Sequence, residues 1–371
     1  MPDISYRTFD VEVRGGPLRV GEWGRGSADS AGEVHSGRPA RSDRAAPRDS
    51  TAEEGEVVLA VHGVTSSHLA WPFVARELLA GPGAASGGEA SSGAPSASAP
   101  SGAAGRVARV LAPDLRGRGR SNALPGPYGM AQHADDLAAV LRAAGVDAGR
   151  PAVVVGHSMG AFAALVLADR HRELVDRLVL VDGGFPLELP PGLGRDEAAQ
   201  ALLGPVLARL GMEFESPEAY VDSWRGHPAF AHAWAPEVED YARYDLDGEA
   251  PHLHPATVPA AIPDGNVDLY SGKVLVGALD RLSTPAVFLR AERGFFDDPA
   301  RLYPDEAIAR WHGAYPAIEV RDVPGTNHYT IVMTSDGAAA VARAVLEPPA
   351  RHGGRLVVSA QPGGKEPDTP Q

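Results

Sequence analysis

The pentapeptide Gly156-His157-Ser158-Met159-Gly160 constrains this chain more than any other feature, because of what flanks it. The apolar run Ala152-Val153-Val154-Val155 precedes it, and the helix-favouring stretch 161–169 follows. A G-x-S-x-G at a strand-to-helix junction bends so tightly that the serine backbone is strained and its hydroxyl projects above the sheet. The glycines are required because a Cβ at either position would strike the neighbouring strand or helix. The bend also leaves the Met159 N–H at a helix N-terminus, aimed where negative charge can collect. Ser158 is therefore a candidate nucleophile.

The rest of the chain alternates between strand and helix patterns. Strands are expected at 7–13, 17–23, 56–61, 107–112, 152–156, 177–182, 285–290 and 316–322. Several are continuous apolar runs, such as Val57–Val61 and Leu178–Val181, which suit strands buried on both faces of a parallel sheet. Helices are expected at 68–80, 129–145, 158–170, 300–312 and 335–346. Arg14-Gly15-Gly16-Pro17 reads as a hairpin, so the sheet should begin antiparallel. The expected fold is α/β: a mostly parallel, eight-stranded sheet flanked by helices, with a helical cap inserted after the sixth strand.

The cap is expected over 184–275, between core segments 1–183 and 276–347. It carries helical stretches at 196–210, 217–224 and 237–244, with the aromatics Phe214, Trp224, Phe230, Trp234, Tyr241 and Tyr244. Most of these should form the cap's own small core. Segments 25–55 and 81–105 are polar or nearly all Gly, Ala, Ser and Pro, and cannot bury enough apolar surface to offset ordering. They are expected to be disordered loops, and 348–371 a flexible tail.

A net charge of −14 speaks against nucleic acid and against a polybasic membrane anchor. With no cysteine, disulfides and thiolate metal sites are excluded. The histidines 227, 232, 252 and 254 lack the helical pairing with a nearby glutamate that a metal site needs, so no metal is expected. Gly117-Arg118-Gly119 lacks the third glycine of a dinucleotide loop, and no cofactor is expected. No basic region followed by an apolar stretch opens the chain and no run of 18 apolar residues occurs, so the expected location is cytoplasmic.

A serine needs a base, and the base an orienting group. His328 follows the last expected strand in Thr326-Asn327-His328-Tyr329, in a loop able to fold back on Ser158. With the elbow and Asn327-His328 stand two further segments, Val61-His62-Gly63-Val64-Thr65-Ser66-Ser67 and Asp114-Leu115-Arg116-Gly117-Arg118-Gly119-Arg120-Ser121. In these four motifs and their order the chain resembles the α/β-hydrolase superfamily over nearly its whole core. The resemblance implies an oxyanion hole from the N–H groups of Val64 and Met159, and a scaffold role for Asp114 and Arg116. It also implies an acid after the strand 286–290, but Gly294 stands at that place. Asp182, one strand earlier, is the expected acid, with Asp297 the alternative; Asp298 and Glu292 lie near by.

A serine nucleophile argues against epoxide hydrolysis and dehalogenation, which use an aspartate on this fold. The expected activity is hydrolysis of a carboxylic ester or related acyl compound through an acyl-serine. Carbon–carbon bond hydrolysis of a diketone and non-catalytic ligand binding are the alternatives. The expected partners are a small acyl substrate and water, with oligomeric state open.

Overall fold

Alternation of side chains across each strand builds both faces of the sheet at once. The computed structural model describes residues 3–26, 55–81, 107–187, 192, 204, 208–262, 269, 270 and 272–347. Its strands are β1 (Ile4–Val13), β2 (Gly16–Arg25), β3 (Glu56–Val61), β4 (Val107–Pro113), β5 (Ala152–His157) and β6 (Val175–Val181). A short hairpin follows, β7 (Leu246–Glu249) and β8 (His252–Pro255), and then β9 (Ala286–Arg293) and β10 (Ile318–Asn327). Eight of them form one sheet in the order β1-β2-β4-β3-β5-β6-β9-β10. Only the β1–β2 and β2–β4 pairings are antiparallel; the remainder are parallel.

In β3, Leu59 and Val61 join the cluster beneath one face, with Val154, Leu178 and Phe288. Val58 and Ala60 join the opposite cluster, with Val153, Val155, Val179 and Val287. Each fully buried Val or Leu is worth about 1.5–3 kcal/mol relative to exposure. A charged residue at any of these inner positions would therefore cost more than most single changes.

Helices cover both faces. They are α1 (Pro72–Ala80), α2 (Met130–Ala143), α3 (Met159–Arg170), α4 (Pro217–Arg225), α5 (Pro236–Tyr244), α6 (Lys273–Asp280), α7 (Asp305–Ala314), α8 (Thr330–Met333) and α9 (Ser335–Leu346). Every residue of α3 from Met159 to Ala168 is buried. A helix apolar on all sides must be sandwiched, and its sequence says so. Proline at N1 starts α1, α4 and α5, where its missing N–H costs nothing.

Between β6 and β9, where a helical cap is expected, the described residues hold α4, α5, the β7–β8 hairpin and α6. The hairpin is a departure from an all-helical insertion: Leu246–Glu249 pairs antiparallel with His252–Pro255 across a turn at Ala250-Pro251. Residues 208–210 are helical, and most of the helix expected at 196–210 lies outside the described residues. So do most of 25–55, all but Gly81 of 81–105, and the tail 348–371. Phe214, Tyr220, Trp224, Phe230 and Tyr241 are buried and pack ring against ring. Among the described residues no helix is long and apolar enough to cross a membrane.

Candidate active site

The tight bend expected at Ser158 is present. Ser158 has φ 53° and ψ −125° between β5 and α3, a backbone conformation that costs a non-glycine residue on the order of 1–3 kcal/mol. Its N–H donates to the Val181 carbonyl at 2.9 Å, and its carbonyl accepts from Ala161 N–H at 3.0 Å. A Cβ on Gly156 would lie 2.4 Å from the Gly160 carbonyl, and one on Gly160 would lie 2.1 Å from that of Val61. Met159 is the first residue of α3, so its N–H belongs to the helical turn that has no intrahelical acceptor.

His328 directly follows β10 and is 2% exposed. Its Nδ1 stands 2.7 Å from Oδ2 of Asp182, which is 1% exposed. Asp182 also accepts the Ala291 N–H at 3.2 Å through Oδ1. A proton held on Nδ1 by the carboxylate leaves Nε2 as the basic nitrogen. The His328 carbonyl accepts from Nε2 of His157 at 2.7 Å. Burial, followed by the neighbouring His328 ring, holds His157 well below the ordinary imidazole range. The Phe295 ring packs on His328 with centroids 4.0 Å apart.

The other candidate carboxylates are engaged elsewhere. Asp297, with a side chain 37% exposed, accepts from Asn327 Nδ2 at 3.1 Å and stands 3.8 Å from the Arg293 guanidinium. Glu292 accepts the Gly325 N–H at 2.6 Å. Asp298 accepts from Phe296 and Ala300 N–H within its own loop. Gly294, at the position where an acid was expected by resemblance, offers its carbonyl to the His328 N–H at 3.4 Å.

Ser158 and His328 line one cavity together with Val64, Thr65, Tyr241 and Tyr329; it leaves about 30 Å³ for the centres of water molecules. The loop carrying Val64 is fixed by His62. Leu115 N–H donates to His62 Nε2 at 2.9 Å, so the ring proton sits on Nδ1 and points at the Gly63 carbonyl, 2.8 Å away. Burial lowers His62 to about 4, which keeps that tautomer neutral.

Asp114 and Arg116 behave as scaffold. Asp114 accepts from His68 N–H, His68 Nδ1, Arg120 N–H and Tyr244 Oη at 2.7–2.8 Å. Burial pushes its carboxyl up, but the His68 and His62 rings and the Arg120 N–H outweigh this and hold it well below the ordinary range. Arg116 grips Asp136 with two bonds, at 2.8 and 2.9 Å.

Sequence reading did not single out His157, Phe295, Tyr329, Thr65 or Arg209 for this site. His157, Phe295 and Tyr329 each adjoin a residue or loop already singled out, which is the signal that could have found them. Arg209 gives no such signal: it donates to Asp245 at 2.9 Å and to Thr65 at 3.2 Å from far along the chain. Gly183 follows Asp182 directly in the chain. It is needed because a Cβ there would lie 2.3 Å from the Ser158 carbonyl.

Comparison with known proteins agrees with the fold. The model of the "Alpha/beta hydrolase family" matches residues 57–344. The 2-(acetamidomethylene)succinate hydrolase of Mesorhizobium japonicum is 29% identical over 222 residues, 59% of this chain and 71% of that protein. The 2-hydroxymuconate semialdehyde hydrolase of Pseudomonas putida is 38% identical over 94 residues, 25% of this chain and 32% of that protein. Other curated relatives are matched over only 19–30% of their own lengths. Among solved structures, E-2-(acetamidomethylene)succinate hydrolase superposes with a TM-score of 0.62 at 20% identity, covering 93% of this chain and 100% of that one.

Proposed function

The chain belongs to the alpha/beta hydrolase family, and from that premise we propose that it hydrolyses a carboxylic ester or related acyl compound through an acyl-enzyme on Ser158. The observation that carries this reading is the Asp182–His328 pair, at 2.7 Å, opening on the cavity that holds the Ser158 elbow.

In the proposed cycle His328 Nε2 takes the Ser158 proton as Oγ attacks the acyl carbon. The carbonyl π-bond becomes an oxyanion, received by the N–H groups of Val64 and Met159. Collapse of the adduct breaks the bond to the leaving group, which receives the proton from His328. Water then attacks the acyl-serine, giving its proton to His328, and the carboxylic acid departs as Ser158 is reprotonated. Asp182 stabilises the imidazolium without itself becoming protonated. Because the donors at Val64 and Met159 are backbone groups, they need no reorganisation when charge develops.

Small acyl groups are favoured by the restricted cavity and its aromatic wall of Tyr241, Phe295 and Tyr329. One relative is named for an acetamido compound, so amides belong in the same panel as esters. The test is steady-state and burst kinetics on p-nitrophenyl acetate, butyrate and octanoate, with a lactone and an anilide beside them. The expected result is an acyl-enzyme burst with the two shorter esters, lost in Ser158→Ala. Failure of a folded protein to turn over any of them would contradict the proposal.

A further inference from the structure

The loop after β4 holds two buried arginines with opposite electrostatic circumstances. Arg116 is neutralised by its two bonds to Asp136. Arg118 is fully buried, and among the described residues its hydrogen-bond partners all lack a negative charge. Its Nε donates to the Val64 carbonyl at 3.0 Å. One Nη donates to the Arg116 carbonyl at 2.8 Å and faces His133 Nε2 at 3.4 Å. The other donates to the Ala261 carbonyl at 3.1 Å and meets the Met159 sulfur at 3.5 Å. Burial lowers this guanidinium to about 10, which leaves it a cation at neutral pH. Burial and then the adjacent guanidinium hold His133 well below its ordinary range, so that ring adds no second charge.

An unpaired buried cation is a standing cost to a fold, normally offset by a carboxylate. Here the guanidinium touches both residues to which the proposed mechanism assigns the oxyanion. Val64 lines the cavity, and Arg118 lies behind it. We infer that Arg118 is a positioning residue for the oxyanion hole, and that the tetrahedral adduct supplies a counter-charge that its partners among the described residues do not. It fixes the Val64 carbonyl and the Met159 side chain through a rigid fork. It also sets a formal positive charge in a low-dielectric wall facing the developing negative one. Such an interaction is stronger in the transition state than in the ground state, so it raises kcat with little effect on substrate binding. The inference rests on the acyl-enzyme reading above.

The experiment compares wild type with Arg118→Lys, which keeps the cation and loses the fork, and Arg118→Gln, which keeps a donor and loses the charge. Folding is checked by circular dichroism and kcat and KM are measured on p-nitrophenyl butyrate. Affinity is measured for a trifluoromethyl ketone, which adds to serine as an anionic hemiketal. Expected are a loss in kcat of about 10-fold for Lys and about 100-fold for Gln, with KM within about 3-fold and ketone affinity weakened in parallel. Folded variants with kcat within about 3-fold of wild type would overturn the inference. So would a loss confined to KM, or unchanged ketone affinity. If neither variant folds, the guanidinium serves the fold and not the site, which also overturns it. A wild-type protein that neither turns over ester nor takes up a fluorophosphonate would sink the hydrolase reading itself, a distinguishable failure.

Discussion

Two buried aspartate–histidine pairs among the described residues have nearly the same geometry. Asp114 meets Nδ1 of His68 at 2.8 Å, and Asp182 meets Nδ1 of His328 at 2.7 Å. They differ on the far side of the ring. His68 Nε2 is closed off by Tyr6 Oη at 2.7 Å, and all four bonds to Asp114 come from groups of the scaffold. His328 instead lines the cavity that also holds Ser158. An imidazole tied to a carboxylate is therefore no signature of chemistry by itself. The two differ in whether the ring is closed within the scaffold or lines a cavity shared with Ser158.

Changes at four positions sharpen or break that contrast. The largest effect is expected from Asp182→Asn, which removes the acceptor that fixes the His328 tautomer. Ester kcat should fall about 10⁴-fold, equivalent to ~5.5 kcal/mol, with thermal unfolding little changed. Asp114→Ala should do the reverse. It strands the His68 ring and three further donors, and calorimetry or denaturant titration should show a loss of about 3–5 kcal/mol. The folded fraction should keep its kcat.

The Asp114 contribution also has a definite pH dependence. Its folded carboxyl is held below the ordinary range, so its stabilisation is complete above the unfolded value of about 3.9. It declines as pH falls from there through the depressed folded value. The stability gap between wild type and Asp114→Asn should accordingly be flat above about pH 5 and shrink in stronger acid. A gap that widens on acidification would contradict the assignment.

Tyr6→Phe opens the far nitrogen of His68 and should cost about 1 kcal/mol of stability without altering turnover. A large fall in kcat would mean that the two pairs are coupled. The smallest effect belongs to Asp297→Ala, whose exposed carboxylate meets Asn327 and Arg293. Its kcat should stay within about 3-fold of wild type, about 0.6 kcal/mol.

Much of the sheet was legible from the chain because its signals are local. The apolar runs of β3, β5 and β6 read as strands buried on both faces, and the flanking glycines of the elbow marked a close backbone approach. Choosing among carboxylates was harder. Glu292, Asp297 and Asp298 crowd the place where an acid is expected, and composition does not reveal that Asp182 alone among them is enclosed against His328. The hairpin β7–β8 was missed because two four-residue strands carry little periodicity, and α6 because it is short with Gly277 inside it. Arg118 could not have been separated from Arg116 by sequence. Its neutral surroundings are assembled from Val64, His133, Met159 and Ala261, contacts that only the folded chain creates.

The most direct measurement is mass spectrometry of the folded protein after reaction with a fluorophosphonate. The account predicts phosphonylation at Ser158, slowed in Asp182→Asn and unaffected in rate by Tyr6→Phe. An unlabelled Ser158 in protein that still hydrolyses ester, or ester turnover that survives Ser158→Ala, would contradict it.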